Sequence, residues 1–336
     1  MKDTAVVILN WNGKRFLERF LPSVISTSKE ADVIVADNAS SDDSVSFIES
    51  NYPFVRILRL EQNFGFAGGY NRAISLLDKY RYAVLLNSDV EPAPGWLRPL
   101  VQCLDKNPDV AVCSPKLLSL NYRTRFEYAG AAGGFIDFLG YPFCRGRILD
   151  VEEEDQGQYD TERDVFWVSG AAMCLRVSHF ISLGGFAEEF FAHMEEIDFC
   201  WRTQLIGGRV VAVPESKVYH LGGGTLSTSS PRKIFYNHRN NLAMLLRCAP
   251  CGQRLLVSVV RPFLDMLSAI TYLCSGKVTA FGMVFKAYWD FFKWHPRLIR
   301  QRREIQRMKI QPSAHIFRGS IILRYFLGLR KFNKMM

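Results

Sequence analysis

The feature that most constrains the fold is an alternation of short, apolar, β-branched runs with helical patterns in the first half of the chain. Four runs predict strands, at residues 4–10, 32–37, 55–60 and 82–87. Between them, residues 14–28, 42–51 and 66–79 have the apolar spacing of helices. Strands that are apolar throughout are buried on both faces, which predicts a layered α/β fold with a mostly parallel sheet.

Polar residues stand where three of these strands end. The sequence continues with Asn10-Trp11-Asn12-Gly13 after the first strand, with Asp37-Asn38-Ala39-Ser40-Ser41-Asp42 after the second, and with Asn87-Ser88-Asp89 after the fourth. Each is also ordinary turn chemistry, and Ser41 or Asp42 could simply cap a helix. Three such ends at one edge of a parallel sheet favour a ligand site, because ligands bind beyond the carboxyl ends of the strands.

A glycine-rich segment, QNFGFAGGYN at residues 62–71, follows the third strand and opens a helix. It is not GxGxxG, and no acidic residue stands where a dinucleotide site needs one, so a nicotinamide cofactor is disfavoured. Its glycines and the helix start predict room for the close approach of a phosphate.

Further along, residues 164–173 predict a strand that ends in small residues, and residues 209–213 and 217–220 predict two short strands. The second of these leads His220 into the glycines of residues 222–224. The acidic run at residues 152–155 is interpreted as a solvated loop.

The segment FFAHMEEIDFCWRTQ, residues 190–204, concentrates carboxylates among large apolar side chains. A helix from residue 195 places Glu195, Asp198 and Arg202 on one stripe and points Glu196 about 100° away from Glu195. Acids in a first turn also complement the helix dipole, and Asp198 can pair with Arg202. Glu196, among apolar neighbours at the mouth of the predicted rim, is placed like a general base.

The blocks VVILNWNG, VADNASSDDS, NFGFAGGYN, LLNSDV, WVSGAAM, GGFAEEFFAHMEEIDFCWR and VYHLGGGT occur in this order across residues 4–245. Together they resemble the family-2 inverting glycosyltransferases of the GT-A fold, particularly bacterial rhamnosyltransferase-like members that build surface polysaccharides. The resemblance implies a nucleotide-sugar-binding α/β domain with a C-terminal helical extension. It also implies sugar transfer from a dTDP- or UDP-sugar to a hydroxyl of a lipid-linked or polysaccharide acceptor, with Mn or Mg.

The resemblance assigns roles to particular residues. Glu196 matches the catalytic base, usually an Asp, and Asp89 matches the last residue of the DxD metal motif, whose first position here is the neutral Asn87. His220 matches a further metal ligand. The donor-binding residues that it implies are Asn10, Asn12, Asp37, Asn63, Gly65, Asn71, Asn87 and Ser88. The acceptor-binding candidates are Trp167, Gly170, Glu195 and Asp198.

We expect residues 1–247 to form the catalytic domain and residues 248–336 to form a helical, aromatic and basic region. Residues 297–336 carry eleven Lys or Arg against one Glu, a net charge of +10, so the rest of the chain sums to −1. The longest uncharged run in residues 254–294 is eleven residues, too short to span a bilayer. This composition predicts helices in the interface of an anionic membrane, or else helices packed on the catalytic domain with a solvated basic tail.

Other classes of function are disfavoured. No recognition module accompanies the basic charge, so nucleic-acid binding is not expected. The scattered cysteines are typical of reduced core thiols, and Cys248-Ala-Pro-Cys251 lacks the second ligand pair of a zinc site. The apolar run at the N-terminus is too short for a secretory signal. We therefore expect a cytoplasmic enzyme, peripheral on the inner face of the membrane, with a catalytically idle nucleotide-sugar-binding protein as the alternative.

Overall fold

A computed structural model of the chain describes residues 2–127, 130–222, 230–311 and 316–335. The strands are β1 Thr4–Asn10, β2 Asp32–Asp37, β3 Arg56–Arg59, β4 Tyr82–Asn87, β5 Val90–Pro92, β6 Val110–Ser119, β7 Gly134–Asp137, β8 Pro142–Cys144, β9 Arg147–Ile148, β10 Val151–Glu152, β11 Arg163–Asp164, β12 Ala172–Arg176, β13 Arg209–His220 and β14 Ile316–Phe317. The helices are α1 Lys14–Thr27, α2 Ser44–Asn51, α3 Gly65–Ser75, α4 Leu97–Lys106, α5 Val177–Ser182, α6 Glu195–Leu205, α7 Pro231–Cys248, α8 Cys251–Cys274, α9 Val278–Met308, α10 Ile321–Phe326 and α11 Phe332–Met335.

The main sheet is mixed, with the strand order β11-β13-β6-β12-β4-β1-β2-β3, and β5 pairs with β13. Strands β1, β2, β3 and β4 are parallel neighbours, as are β6 and β13. Strand β12 runs antiparallel between β4 and β6. The predicted α/β class is therefore confirmed, but the sheet is mixed and not mostly parallel, because β12, β11 and β5 all pair antiparallel with their neighbours.

Both faces of the sheet are covered, as the uninterrupted apolar strands predict. In β1, Ala5 and Val7 lie in the core on one face, and Val6 and Ile8 lie in the core on the other. All four side chains are at most 1% exposed. Alternation of side chains along a strand sends successive residues to opposite faces, so a strand that is apolar at every position requires two covering layers.

The strand register brings the polar strand ends to one rim. Asn10 lies beside Asp37, and Leu9 lies beside Asn87. Strand β13 ends on the same side, where His220 pairs with Val90 at the start of β5. Because β12 is antiparallel, its beginning, not its end, reaches this rim. The rim therefore contains residues that are far apart in the chain, from Asn10 to His220.

A second, smaller sheet has the order β10-β9-β8-β7-β14. Its last strand comes from the C-terminal region, since Ile316 and Phe317 pair in parallel with Ile136 and Asp137 of β7. The ring of Phe332 lies 5.3 Å from that of Phe135, centroid to centroid, and its backbone N–H donates to Glu153. Residues on both sides of the boundary expected at residue 247 thus share one sheet.

Three expectations about the middle of the chain are wrong. The predicted strand at 164–173 is interrupted: Asp164 belongs to β11, Ala172 and Met173 belong to β12, and between them Ser169 makes a turn in which its hydroxyl accepts from the Ala171 N–H. The two short strands at 209–220 are one strand, β13, with an irregularity between Val213 and Lys217. The acidic run at 152–155 is not solvated throughout: Glu153 is 8% exposed, and Asp155 pairs with the buried Lys116.

Helix α9 packs along α7 and secures its end. The guanidinium of Arg302 donates to the carbonyls of Leu246, Arg247 and Ala249, which satisfies the last turn of α7. Among the described residues, α8 is the one helix long and apolar enough, by length and composition, to cross a membrane, with a mean hydropathy of 1.4 over its best window. The sequence analysis judged a membrane span from the longest uncharged run alone, which is too short. The length and composition of the whole helix do not exclude such a span.

Candidate active site

Asn10 and Asp37 form the first part of the rim. The amide of Asn10 donates to Asp37 Oδ1 at 3.1 Å and to Ser40 Oγ at 3.1 Å, while Asp37 Oδ2 accepts from the Ser40 N–H. Asn10 Oδ1 is buried and has no hydrogen-bond partner among the described residues. A side chain at Gly13 would lie 2.5 Å from this oxygen, so glycine keeps the space beside it. An unpaired buried acceptor at a strand end is suited to receive an N–H or O–H from a ligand.

Asn12 connects the first two polar loops of the rim. Its backbone is left-handed, with φ of 50°, a conformation that Asn tolerates. Its Oδ1 accepts from the N–H groups of Ser41, at 2.7 Å, and Asp42, at 3.3 Å. Asp42 in turn accepts from the Ser44 N–H at the start of α2, although the N-cap position itself is occupied by Asp43. Asn12 thus holds the loop of Asp37 in place.

The first amides of α3, where the sequence predicted room for a phosphate, are paired within the protein. The N–H groups of Phe66 and Ala67 donate to the carbonyl of Phe191, at 2.7 and 3.2 Å. Gly65 has φ of +70°, and a side chain there would lie 2.6 Å from the same carbonyl oxygen. The glycines therefore permit close approach of the loop before α6, and the first amides of the helix are already satisfied. Asn63 Oδ1 accepts from the Gly65 N–H at 2.8 Å.

Asp89 and His220 meet at the centre of the rim. His220 Nε2 lies 3.1 Å from Asp89 Oδ1 and 3.5 Å from Asn87 Nδ2, and His220 Nδ1 lies 3.2 Å from Glu127 Oε2. Asp89 and His220 are 5% and 6% exposed, and Ser88 is half-buried between the strand end and Asp89. Burial acts to lower the pKa of His220, but hydrogen bonds and charges from Asp89 and Glu127 outweigh it and raise the pKa to about 10.

The donor set at Asp89 and His220 fits a divalent cation. Ligands at adjacent octahedral positions about 2.1 Å from Mg are about 3 Å apart, close to the separation of Asp89 Oδ1 and His220 Nε2. No group of three or more His, Cys, Asp or Glu side chains within residues 2–127, 130–222, 230–311 and 316–335 is arranged to hold a metal alone. Such cations are commonly held by one or two protein ligands together with substrate phosphates, which matches a pair rather than a cage.

Glu195 and Glu196 begin α6 beside this rim. Both have one carboxylate oxygen, Oε2, that is buried and has no hydrogen-bond partner among the described residues. Burial raises the pKa of Glu196 to about 7. Burial, with the charges of Glu196 and Asp198, raises the pKa of Glu195 well above its usual range. The environment of Glu195 therefore favours its protonated form, and Glu196, with a pKa near neutral pH, is poised to accept a proton.

Gly170, an acceptor-binding candidate from the sequence, lies close to Glu196, the candidate base. A side chain at Gly170 would lie 2.9 Å from the ring of Phe66 and 3.8 Å from Glu196 Cβ. The absence of a side chain at Gly170 therefore lets the Phe66 ring pack closely beside Glu196, just before β12 begins.

The turn before α6 has an unusual backbone. Phe191, His193 and Met194 all have positive φ, at 65°, 70° and 71°. Non-glycine residues in this region cost free energy and persist only when the surroundings fix them. The amide of Asn240, on α7, donates to the carbonyls of Phe190, Ala192 and His193 at 3.0, 2.9 and 2.8 Å. Asn240 thus holds the left-handed turn that aims Glu195 and Glu196.

Three proposed site residues make structural contacts instead. Asp198 is fully buried and pairs with Arg202 at 2.7 Å and with Arg247 at 3.5 Å. The indole of Trp167 donates to the Phe135 carbonyl at 2.9 Å and lies in the core. Asn71 accepts from the Phe186 N–H and donates to the Phe186 carbonyl. These contacts favour roles in packing for Asp198, Trp167 and Asn71.

Sequence reasoning missed Glu127 and Asn240. Glu127 lies in an irregular stretch without periodicity, where only the fold brings it to His220. Asn240 belongs to the run Asn237-His238-Arg239-Asn240-Asn241, whose last three residues are buried on α7. Polar residues on the buried side of a helix are rare without partners, and that pattern could have identified Asn240. The Cys248 thiol is buried, which raises its pKa, so it is not a reactive thiolate.

Comparison with known proteins identifies the architecture. Residues 5–131 match the family model "Glycosyl transferase family 2". The chain is 29% identical over 255 residues to an N-acetylglucosaminyl-diphospho-decaprenol L-rhamnosyltransferase of Mycobacterium tuberculosis, covering 71% of this chain and 83% of that protein.

Two solved structures show the same fold. TarS of S. aureus in complex with UDP-GlcNAc has a TM-score of 0.57 at 16% identity, over 98% of this chain and 92% of that one. GalNAc-T7 with UDP, GalNAc and Mn2+ has a TM-score of 0.57 at 18% identity over 74% of this chain, which spans 48% of the GalNAc-T7 chain. The family match over residues 5–131, the mycobacterial relative and the shared GT-A fold agree with the rim described above, so the chain contains a domain similar to the family 2 glycosyltransferases.

Proposed function

We propose that the chain is an inverting transferase that moves a sugar from a nucleotide-sugar donor to a hydroxyl of a lipid-linked or polysaccharide acceptor in bacterial cell-surface glycan synthesis. The observation that carries the proposal is Glu196: a buried, unpaired carboxylate oxygen with a pKa of about 7, on the rim that also holds Asp89 and His220. The matched relative from Mycobacterium tuberculosis is named for a diphospho-decaprenol acceptor, which supports a lipid-linked one.

The donor would lie along the strand ends. Asn10 offers an unpaired acceptor oxygen, Asp37 is fixed beside it, and Asn12 braces their loop. Asn87 and Ser88 lead from this part of the rim to Asp89 and His220. The nucleoside of a dTDP- or UDP-sugar would bind the first group, with its diphosphate directed toward the second.

Asp89 and His220 would hold a Mn or Mg ion. A bound divalent cation supplies charge neutralisation for the diphosphate as it leaves. Without a cation, His220 lies between Asp89 and Glu127 and carries a proton. Glu127 accepts at Nδ1, so it orients the imidazole with Nε2 toward Asp89.

Glu196 would act as the base in a single displacement. The acceptor hydroxyl oxygen forms a bond to the anomeric carbon on the face opposite the leaving diphosphate, and the bond from that carbon to the diphosphate oxygen breaks. The hydroxyl proton passes to Glu196, so the configuration of the sugar inverts. One carboxylate is sufficient for this displacement.

The experiment is a donor screen with the purified full chain and a panel of dTDP- and UDP-sugars, measuring nucleotide release with and without glycan-lipid acceptors. Nucleotide release that depends on acceptor and yields the inverted linkage supports the proposal. Donor binding by calorimetry without any turnover across the panel supports instead the idle binding protein suggested by Asn87 in the metal motif and Glu in place of Asp at the base.

We also propose that the enzyme acts at the inner face of the cell membrane. The net charge of +10 over residues 297–336 supports attraction to anionic lipid. Arg300, Arg303 and Arg307 are exposed on α9 at spacings of three and four, so they share a face.

A further inference from the structure

Helix α8 buries polar side chains and exposes large apolar ones. The residues that it buries recur at every fourth position and include polar and charged ones: Gln253, Val257, Arg261, Asp265 and Ala269. The residues that it exposes are large and apolar, with exposures between 42% and 74%: Leu255, Leu256, Val259, Phe263, Met266, Leu267, Ile270 and Leu273. A surface helix of a soluble protein normally shows the reverse distribution.

The buried polar side chains of α8 are paired with the protein. Arg261 donates to Asn241 Oδ1 at 2.6 Å and pairs with Asp265 at 3.2 Å. Asp265 Oδ2 accepts from the Tyr288 hydroxyl at 2.7 Å, and Gln253 donates to the Phe138 carbonyl. The orientation of α8 is therefore fixed by specific inward contacts, and its apolar side is held outward by the same contacts.

The exposed apolar surface continues onto α9. Phe285, Trp289 and Phe292 are 44%, 64% and 62% exposed at spacings of four and three, so they form one stripe. Phe285 lines the same apolar cleft as Met266 of α8, which joins the two surfaces. We name the outward residues of α8 together with this stripe the docking face.

Positive charges lie within the docking face. Lys277 is exposed in the turn between α8 and α9, and Lys286 and Lys293 are exposed on α9. The Lys293 ammonium lies 5.2 Å from the centre of the Trp289 ring. Aromatic rings beside lysines are typical of surfaces at the boundary between acyl chains and headgroups, where the ring is buried and the ammonium reaches a phosphate.

We infer that the docking face inserts α8, lying parallel to the membrane, into the headgroup and outer acyl region of an anionic leaflet. This inference rests on the proposed membrane location of the enzyme and adds the surface and orientation. A helix whose Arg261 and Asp265 are paired with the protein cannot cross the bilayer without breaking those contacts, so α8 lies in the plane. A second copy of the chain is a poorer occupant, because the lysines of the two docking faces would repel each other.

The docking face is linked to the active site by a short path. Arg261 contacts Asn241, which is adjacent on α7 to the Asn240 amide that holds the turn before Glu196. Insertion of α8 therefore brings the base close to the membrane surface, where the sugar-bearing head of a lipid-linked acceptor lies.

The test uses the full chain and sedimentation with vesicles of phosphatidylcholine and phosphatidylglycerol, with no donor or acceptor. The double variant Phe263→Glu/Leu267→Glu should bind these vesicles roughly 10- to 100-fold more weakly, because two inserted side chains lose their apolar transfer. The matched control is Phe54→Glu, since Phe54 is 71% exposed, against 74% for Phe263, and precedes the edge strand β3. The control should bind as the parent does.

Other outcomes separate the alternatives. Equal vesicle binding by the double variant and the parent overturns the inference. So does light scattering that shows a dimeric parent converted to a monomer by the double variant while vesicle binding is unchanged. Circular dichroism and thermal unfolding are measured in parallel: an unchanged spectrum and Tm show that the double variant is folded, so its loss of vesicle binding supports the docking face. Failure of the donor screen would leave the vesicle result intact.

Discussion

The Asn240 amide lies 2.8 Å from the carbonyl of His193, a residue whose backbone is left-handed, and it also donates to the carbonyls of Phe190 and Ala192. One side chain therefore contacts three carbonyls in the single turn of backbone that precedes the two acidic residues of α6. Positive φ at His193 and Met194 is otherwise unfavourable, so the path of this segment depends on the contact.

Asn240→Ala should lower kcat by about 10- to 100-fold while donor affinity changes little, because a misplacement of about 1 Å at a catalytic group is enough for such a loss. The measurements are kcat, KM and calorimetric donor binding. Asn51→Ala is the control, since Asn51 also donates to a backbone carbonyl, at 2.9 Å, but on α2. A kcat for Asn240→Ala equal to that of the control would show that Asn240 does not position the base.

Glu196→Gln should reduce turnover by ~10²- to 10⁴-fold, the usual contribution of a positioned base, because the amide keeps the shape but accepts no proton. Donor and metal binding should survive. Glu195→Gln is the matched control: burial raises the pKa of Glu195 and favours its uncharged form, which the amide resembles, so this substitution should alter stability more than the chemical step. If Glu196→Gln binds donor and turns over within a few-fold of the parent, the base is another group.

The pH profile should follow the pKa of about 7 at Glu196. The base is active when ionised, so kcat/KM should rise about tenfold per pH unit below pH 7 and level off above it. The profile of Glu196→Gln should lack this limb. A parent profile that is flat between pH 5 and pH 8 would contradict the assignment.

The same raised pKa predicts a trend in stability with a fixed sign. The pKa of Glu196 is higher in the folded protein than the usual 4.5, so the folded state binds more protons than the unfolded state between these values. Its stabilising contribution is complete below pH 4.5 and is lost as the pH rises through about 7. Thermal unfolding should therefore show a lower Tm at pH 8 than at pH 6, and Glu196→Gln should reduce that difference.

Removal of the metal should abolish transfer, and Mn or Mg should restore it. Asp89→Ala should cost more activity than Asn87→Ala, because a neutral amide is the weaker ligand for a hard cation. A readout independent of turnover is the rise in Tm on adding Mn with nucleotide, which Asp89→Ala should lose. Full activity in extensively chelated enzyme would contradict the metal site.

Electrostatic attraction to lipid should come from the exposed arginines of α9. Arg300→Gln, Arg303→Gln and Arg307→Gln should each weaken binding to anionic vesicles by about fivefold, near 1 kcal/mol per charge. Higher salt should weaken binding of the parent by screening. Point substitutions are preferable to a truncation after residue 250. Such a truncation would remove Arg302, which caps the end of α7, and would disturb the catalytic region. Binding that is insensitive to both changes would exclude the electrostatic contribution.

The first half of the fold was predictable because local pattern and tertiary position agree there. The predicted strands at residues 4–10, 32–37 and 82–87 have the observed bounds. Their polar ends reach one rim because the carboxyl ends of parallel strands lie at the same edge of a sheet. The predicted start of α6 at Glu195 is likewise observed.

The remainder depends on contacts between distant residues, which a local pattern does not contain. Glu127 meets His220 only through the pairing of β6 with β13, and the Phe191 carbonyl meets α3 only through the left-handed turn. Asp198 was ambiguous from the sequence because the same helix spacing serves a binding stripe and an ion pair, and burial among Arg202 and Arg247 decides between them.

The pairing of β14 with β7 also sets an order of events during synthesis. Strand β7 is made long before Ile316 and Phe317, so the small sheet has an open edge while about 180 further residues are translated. Phe135 and Glu153 gain their contacts with Phe332 only after that interval. A nascent chain therefore completes this sheet only after α8 has been synthesised, so the apolar side of α8 is formed before the enzyme is fully folded.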